Sequence, residues 1–202
     1  LAGDAITTAS SNTALGYFAL GGASLASANT AVGSGALAAH NVGSLAQTFN
    51  VAVGFDAGNA VTTGVNNTLI GGLSGDAITT GGDNVAVGTS ALGANTTASN
   101  NIAIGSSALA ANTTGTGNIA MGRNTLIANT TANYNTGVGH NTLDANTTGA
   151  ENTAVGFAAL GANTTGANNV SVGAASGDAI TTGANNVAIG YNSLTTATTV
   201  SD

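Results

Sequence analysis

The sequence predicts an all-β protein, a parallel β-solenoid built from 17-residue coils. Its main signal is a five-residue phrase: Asn, a β-branched residue, a small residue, a large apolar residue and Gly, as in residues 84–88 and 101–105. Repetition at a fixed period of this size is typical of stacked repeats. The closing glycines are 17 residues apart, except for one step of 21, and stand at Gly16, Gly33, Gly54, Gly71, Gly88, Gly105, Gly122, Gly139, Gly156, Gly173 and Gly190.

The repeat also predicts the domain organisation. A single array of eleven full coils occupies residues 1–202, with a four-residue insertion near residues 38–48 that we expect to form a protruding loop. Residues 3–8 repeat the sequence of residues 75–80, so the chain opens inside a repeat unit. We therefore expect this array to be a segment of a longer chain.

The phrase itself reads as a short strand. The residue before the closing glycine is always large and apolar, and the residue three before it is always β-branched, so both share one face of a strand. The residue between them is nearly always small, and neither face is polar, which is typical of a strand covered on both sides. The outside of the coil must then meet a partner, and we expect a closed homo-oligomer. The alternative is a monomeric solenoid that tolerates small residues outside.

The second half of the unit predicts a packed interior. A Leu stands four residues after most closing glycines, but Gly58, Gly75 and Gly177 take its place in three units. In those units the Asn seven after the glycine becomes Val61, Ile78 or Ile180. Close-packed interiors require such compensation of volume, so both columns should face one core.

A Thr pair follows in nearly every unit, from Thr62 and Thr63 to Thr198 and Thr199. Stacked Asn and Thr side chains can form hydrogen-bonded ladders from coil to coil. We predict that each unit runs as strand, turn, second short strand and turn.

Composition excludes several functions. Charged residues are 4% of the chain, the net charge is −7 and Arg123 is the only Lys or Arg, which argues against nucleic-acid binding. No apolar run is long enough for membrane insertion. His40 and His140 are expected at the surface or in turns, and Asp4, Asp76, Asp144 and Asp178 at an exposed, unconstrained position. With no nucleophile, base or ligand cluster, we predict no catalytic residues, no metal, no cofactor and no enzyme.

One column is a candidate contact surface. The residue directly after the closing glycine varies, and in six units it is large: Tyr17, Phe55, Arg123, His140, Phe157 and Tyr191. We name these six residues the contact ridge. Exposed aromatic residues are frequent binding anchors. The competing interpretation is a row of tolerated side chains, or cover for a neighbouring subunit.

The phrase Asn-x-Ala-Val/Ile-Gly, once per coil, resembles the head repeats of trimeric autotransporter adhesins, and the longer unit in residues 152–166 is similar to arrays in bacterial surface proteins and phage tail fibres. The resemblance covers residues 1–200. It implies a left-handed β-roll, a homotrimer and an extracellular location on a bacterial surface or virion fibre. It also implies an adhesive shaft or head that presents binding surfaces to a host-cell glycan or protein receptor. The period is longer than in those heads, and this sequence contains no neck, stalk, anchor or chaperone domain.

Two other functions stay open. A self-assembling extracellular filament is compatible with the low charge and with unpaired terminal coils. An ice-binding solenoid is suggested by the Thr columns. Adjacent residues such as Thr96 and Thr97 point to opposite sides of the chain, which leaves one Thr column per face and argues against ice binding.

Overall fold

The computed structural model describes residues 1–23, 25–196 and 199, and it is a parallel β-solenoid. Eleven strands, one per coil, form a single long sheet, which gives about ten turns of about 17 residues each. A second sheet has two short strands. The described residues contain no helix. The predicted fold class is thereby confirmed.

The long sheet consists of three-residue strands that coincide with the repeated phrase. They are β1 (Thr13–Leu15), β3 (Thr30–Val32), β5 (Val51–Val53), β6 (Thr68–Ile70), β7 (Val85–Val87), β8 (Ile102–Ile104), β9 (Ile119–Met121), β10 (Thr136–Val138), β11 (Thr153–Val155), β12 (Val170–Val172) and β13 (Val187–Ile189). The small sheet pairs β2 (Ala26–Ser27) with β4 (Ala46–Gln47).

Every neighbouring pair in the long sheet is parallel and in register with the sequence repeat. Thr136 lies opposite Thr153, a step of 17 residues, and Thr30 lies opposite Val51, a step of 21. The insertion is therefore accommodated outside the sheet, and the strand register is kept.

The strands place their small residue inside and their large residues outside. The middle residue, for example Ala86 or Ala103, is fully buried. The first and third residues are half-buried or exposed, and Val187 reaches 67% exposure. We name the first and third residues of the eleven strands the outer face. We predicted that both faces of the strand are covered. Within a single chain, only the inner face is covered.

The interior confirms the predicted compensation of volume. Leu109, Leu126, Val61 and Ile78 belong to one buried cluster with the strand alanines. A Cβ added to Gly75 would lie 2.8 Å from Cδ1 of Ile78. Leu69 Cδ2 lies at the same distance, so Ile78 and Leu69 together occupy the space that Leu fills in other coils, and both columns face one core.

The predicted second strand is wrong for most units: among the described residues only β2 and β4 provide one. In the other coils the second half consists of turns and bends, because two residues in it adopt left-handed backbone conformations, such as Ser107 (φ 58°) and Leu109 (φ 51°). A left-handed residue breaks the alternation that a strand needs. The Thr pair stands in a bend: Thr113 Oγ1 donates to the Thr130 carbonyl at 3.0 Å, while Thr114 is exposed. Thr198 of the last predicted pair lies outside the described residues.

A buried Asn ladder runs the length of the interior. Asn67 donates from its backbone N to Oδ1 of Asn50 at 2.9 Å, and its Nδ2 donates to the same oxygen and to the Gly81 carbonyl. Its Oδ1 accepts from the backbone N and Nδ2 of Asn84, both at 3.1 Å. All four hydrogen-bonding positions of the amide are thus used. The predicted ladder is confirmed, and it forms inside the coil.

The closing glycine ends each strand at a place where no side chain fits. At Gly105 φ is 133°, and a Cβ there would lie 2.5 Å from the Gly122 carbonyl oxygen. The coils therefore stack through bare backbone at this corner, which explains why this position is Gly in every unit.

Candidate functional site

The contact ridge lies along one edge of the long sheet, directly after each strand and its closing glycine. All six ridge residues are exposed, with Tyr17 at 76% and Tyr191 at 79%. Their spacing along the solenoid is uneven, because Ser34 separates Tyr17 from Phe55 and Ala174 separates Phe157 from Tyr191. The six side chains therefore do not form one continuous surface.

Three ridge residues stand on consecutive coils and touch. Arg123 Nη1 lies 3.5 Å from His140 Nε2, and the rings of His140 and Phe157 have their centroids 5.7 Å apart with planes inclined by 46°. A guanidinium, an imidazole and a phenyl ring thus form a row across three coils. We name Arg123, His140 and Phe157 the ridge triad.

The turn beside the ridge holds the triad in register. The backbone N–H of Asn141 donates to the Arg123 carbonyl at 3.1 Å, and that of Ala158 donates to the His140 carbonyl at 3.0 Å. Nδ2 of Asn124 donates to Oδ1 of Asn141 at 3.2 Å, which adds a side-chain rung next to the triad. Hydrogen bonds between neighbouring coils therefore hold the backbone that carries the triad.

Arg123 has no carboxylate partner. The only ion pair among the described residues joins the amino group of Leu1 to Asp4 at 3.9 Å. The guanidinium instead contacts Nε2 of His140. In a chain with a net charge of −7, its single cationic side chain is thus left available to an external anion.

A second exposed column, just before each strand, carries two more rings. Phe49 and Tyr134 are exposed and adopt left-handed backbone conformations. The ring of Tyr134 covers Gly117 of the preceding coil, where a Cβ would lie 2.7 Å from its Cδ1. These rings lie just before the strands, whereas the triad lies just after them. The two sets of side chains therefore flank opposite sides of the outer face.

The acidic column is less exposed than predicted. Asp4 and Asp178 are exposed, but Asp76 and Asp144 are half-buried, because their coils fold the carboxylate against neighbouring turns. Burial raises the pKa of both Asp76 and Asp144; the charge of Asp56 adds to this at Asp76. Within the described ranges, no three His, Cys, Asp or Glu side chains gather as metal ligands would.

The prediction for His40 is wrong. Its imidazole is fully buried, in the interior column that holds Asn in five coils. Nε2 lies 2.9 Å from Thr48 Oγ1, while Nδ1 has no hydrogen-bond partner. Burial lowers the pKa of His40 to about 4, so the ring is neutral at neutral pH. The sequence signal was present, since His40 stands seven residues after Gly33, where the interior Asn stands elsewhere.

The insertion forms only a small loop. Residues 43–45 are exposed at its tip, but β4 folds back onto β2. A shallow cavity of about 300 Å³ lies beside it, lined by Thr8, Ser10, Ser27, Leu45, Ala46 and Gln47. The cavity is lined by no titratable side chain, so the loop offers no candidate catalytic or metal site.

Comparison with family models, curated proteins and solved structures found no match. Among the described residues there is no helix with the length and apolar character needed to cross a membrane.

Proposed function

We propose that this chain is a structural and adhesive segment of an extracellular fibre, either a cell-surface adhesin or a tail fibre, in which three copies associate through their outer faces. The observation that carries the proposal is the outer face itself. Large apolar or β-branched side chains occupy it on all eleven strands, while the middle residue, which faces the interior, is small on ten of them.

The size of the outer face supports self-association. Eleven strands at about 4.8 Å per step extend over about 53 Å, and a three-residue strand adds a width of about 10 Å. The resulting strip of about 500 Å², before the relief of the side chains is counted, lies in the upper part of the range of about 300–600 Å² found for the largest apolar patch of a typical monomer, and patches of this size often have a function.

A second copy of the same chain is the occupant that fits best. The outer face contains no charged residue, so it offers nothing for an ionic partner to complement. Its rows repeat at the inter-strand step, and an identical chain repeats at the same step, so the side chains of two copies can interdigitate along the full length. Closed symmetry then yields a finite assembly.

The interior supports a spacer role. Each coil contacts only its neighbours, and the Asn ladder links coil to coil without interruption from Asn12 to Asn186 through hydrogen bonds at every step. Such an array extends over about 53 Å. It would hold the contact ridge at a fixed spacing for a glycan or protein receptor.

Light scattering coupled to size exclusion tests the association. We expect the wild type to have three times the 18.9 kDa mass of one chain at micromolar concentration. Val87→Lys combined with Ile104→Lys should give monomers, because two charges would be buried in the apolar interface.

Thr97→Lys, which places the same charge on the exposed Thr column, is the matched control and should leave the mass unchanged. A wild-type monomer would contradict the proposal, and a mass that grows without limit would favour the filament instead.

A further inference from the structure

We infer that the ridge triad binds an acidic saccharide in which a carboxylated sugar is linked to a neutral one. This inference rests on the proposed role of the contact ridge as a binding surface, and it does not depend on the trimer.

Arg123 supplies the anion site. A guanidinium carries five N–H donors in a planar fork that matches a carboxylate, and only one of them is directed at His140. No carboxylate of the described chain neutralises it. An arginine that is exposed, unpaired and fixed against an imidazole is partly ordered before its ligand arrives, which reduces the entropy lost on binding.

Phe157 supplies an apolar platform. Its ring is 57% exposed, and its contact with His140 limits its rotation. The electron-rich face of an aromatic ring attracts the positively polarised C–H groups of a sugar ring. A neutral sugar can therefore stack on Phe157 without any charged group.

The spacing selects two linked sugars. Arg123 and Phe157 are two coils apart, a distance of about 10 Å at the inter-strand step. His140 lies between them. This span is long enough for two linked pyranose rings, with the acid group at Arg123 and the stacked ring at Phe157.

The adjoining amides add polar contacts. The bond from Asn124 Nδ2 to Asn141 Oδ1 uses one donor and one acceptor and leaves Oδ1 of Asn124 and Nδ2 of Asn141 for sugar hydroxyls. Such a combination of a few directed polar groups with an aromatic surface is typical of a specific ligand site.

The surrounding negative charge restricts the ligand. Asp144 lies on the same coil as His140 and interacts electrostatically with it. A densely charged polyanion would be repelled by this carboxylate. An alternating saccharide, with one carboxylate for every two sugars, can place its charge at Arg123 alone.

Calorimetric titration of the full chain with a hyaluronan octasaccharide tests the inference, since this probe alternates a carboxylated and a neutral sugar. We expect saturable binding that weakens as salt is raised. The same octasaccharide with its carboxylates reduced to alcohols should bind at least tenfold more weakly. Arg123→Gln and Phe157→Ala should each weaken binding of the acidic probe by tenfold or more.

Phe49→Ala is the matched control, because it removes an exposed phenyl ring that lies outside the contact ridge; it should bind like the wild type. All three positions are exposed, so circular dichroism should be unchanged. Equal binding of the acidic and reduced probes, or wild-type affinity of Arg123→Gln, would overturn the inference.

Absence of binding by a chain of trimeric mass would overturn the saccharide site alone. A monomer that binds the probe would instead overturn the trimer and leave the site in place.

Discussion

We predict that replacing one amide of the buried Asn ladder by a carboxyl strongly destabilises the array. Asn67→Asp is nearly isosteric, so it opens no cavity. It replaces the two Nδ2 donors by an oxygen that faces Oδ1 of Asn50 and the Gly81 carbonyl. The Gly81 carbonyl then loses its side-chain donor, and a carboxylate is buried among acceptors.

The magnitude follows from the groups left without partners. A buried polar group without a hydrogen bond costs about 1–3 kcal/mol, and a charged group costs more. One orphaned carbonyl and one repelled oxygen pair therefore destabilise the array by about 3–5 kcal/mol at neutral pH. Burial should raise the pKa of the new carboxyl, so part of the loss should be recovered below about pH 5, where the protonated acid can donate to the Gly81 carbonyl.

Urea unfolding followed by circular dichroism measures the change. Asn66→Asp is the matched control: it makes the same exchange one residue away, where the side chain is exposed and bonds Asp83 at 3.0 Å. The control should lose less than about 1 kcal/mol, since exposed charge pairs contribute little. The reasoning is refuted if Asn67→Asp and Asn66→Asp have the same free energy of unfolding at neutral pH.

Two further predictions concern the interior. Because burial lowers the pKa of His40 from 6.5 to about 4, the unfolded chain binds more protons between these values, and stability should fall by about 3 kcal/mol as pH drops through this window. Urea midpoints measured from pH 7 to 4 should vary less in His40→Asn, and equal slopes would contradict the prediction. Ile180→Asn should destabilise by about 1–3 kcal/mol, because it leaves the space beside Gly177 empty, although it supplies a donor for the unpartnered Oδ1 of Asn163. Adding Gly177→Leu should restore stability, and a double variant no more stable than the single one would contradict the compensation of volume.

Much of the fold was predictable from the spacing alone. A phrase that returns every 17 residues predicts one strand per coil, and the observed pairing of Thr136 with Thr153 has that offset. Where Gly replaces Leu in one column, Ile replaces Asn in the other. This compensation predicted a shared core, because volume must be conserved in a packed interior. The exposure of the contact ridge was also predictable, since the residue at this position varies while the scaffold around it does not.

Other features depend on backbone conformation, which the repeat pattern does not reveal. Leu109 is buried at a φ of 51°, a conformation that costs energy for any residue with a side chain and that only stacking on neighbouring coils can maintain. For this reason the second half of most coils is made of turns, where the repeat unit had suggested a second short strand. The burial of His40 had a signal in the spacing, but its contact with Thr48 depends on how the insertion folds.

The sequence by itself determined the period, the register and the composition of the interior columns, because these follow from spacing and side-chain volume. Only the tertiary structure decided which face of the strand is inside. The interior must hold Leu and a ladder of Asn as well as the strand side chains, so it accepts Ala86 and excludes Val85 and Val87. The larger side chains are left on the outside, and that outcome creates the surface on which the proposed function depends.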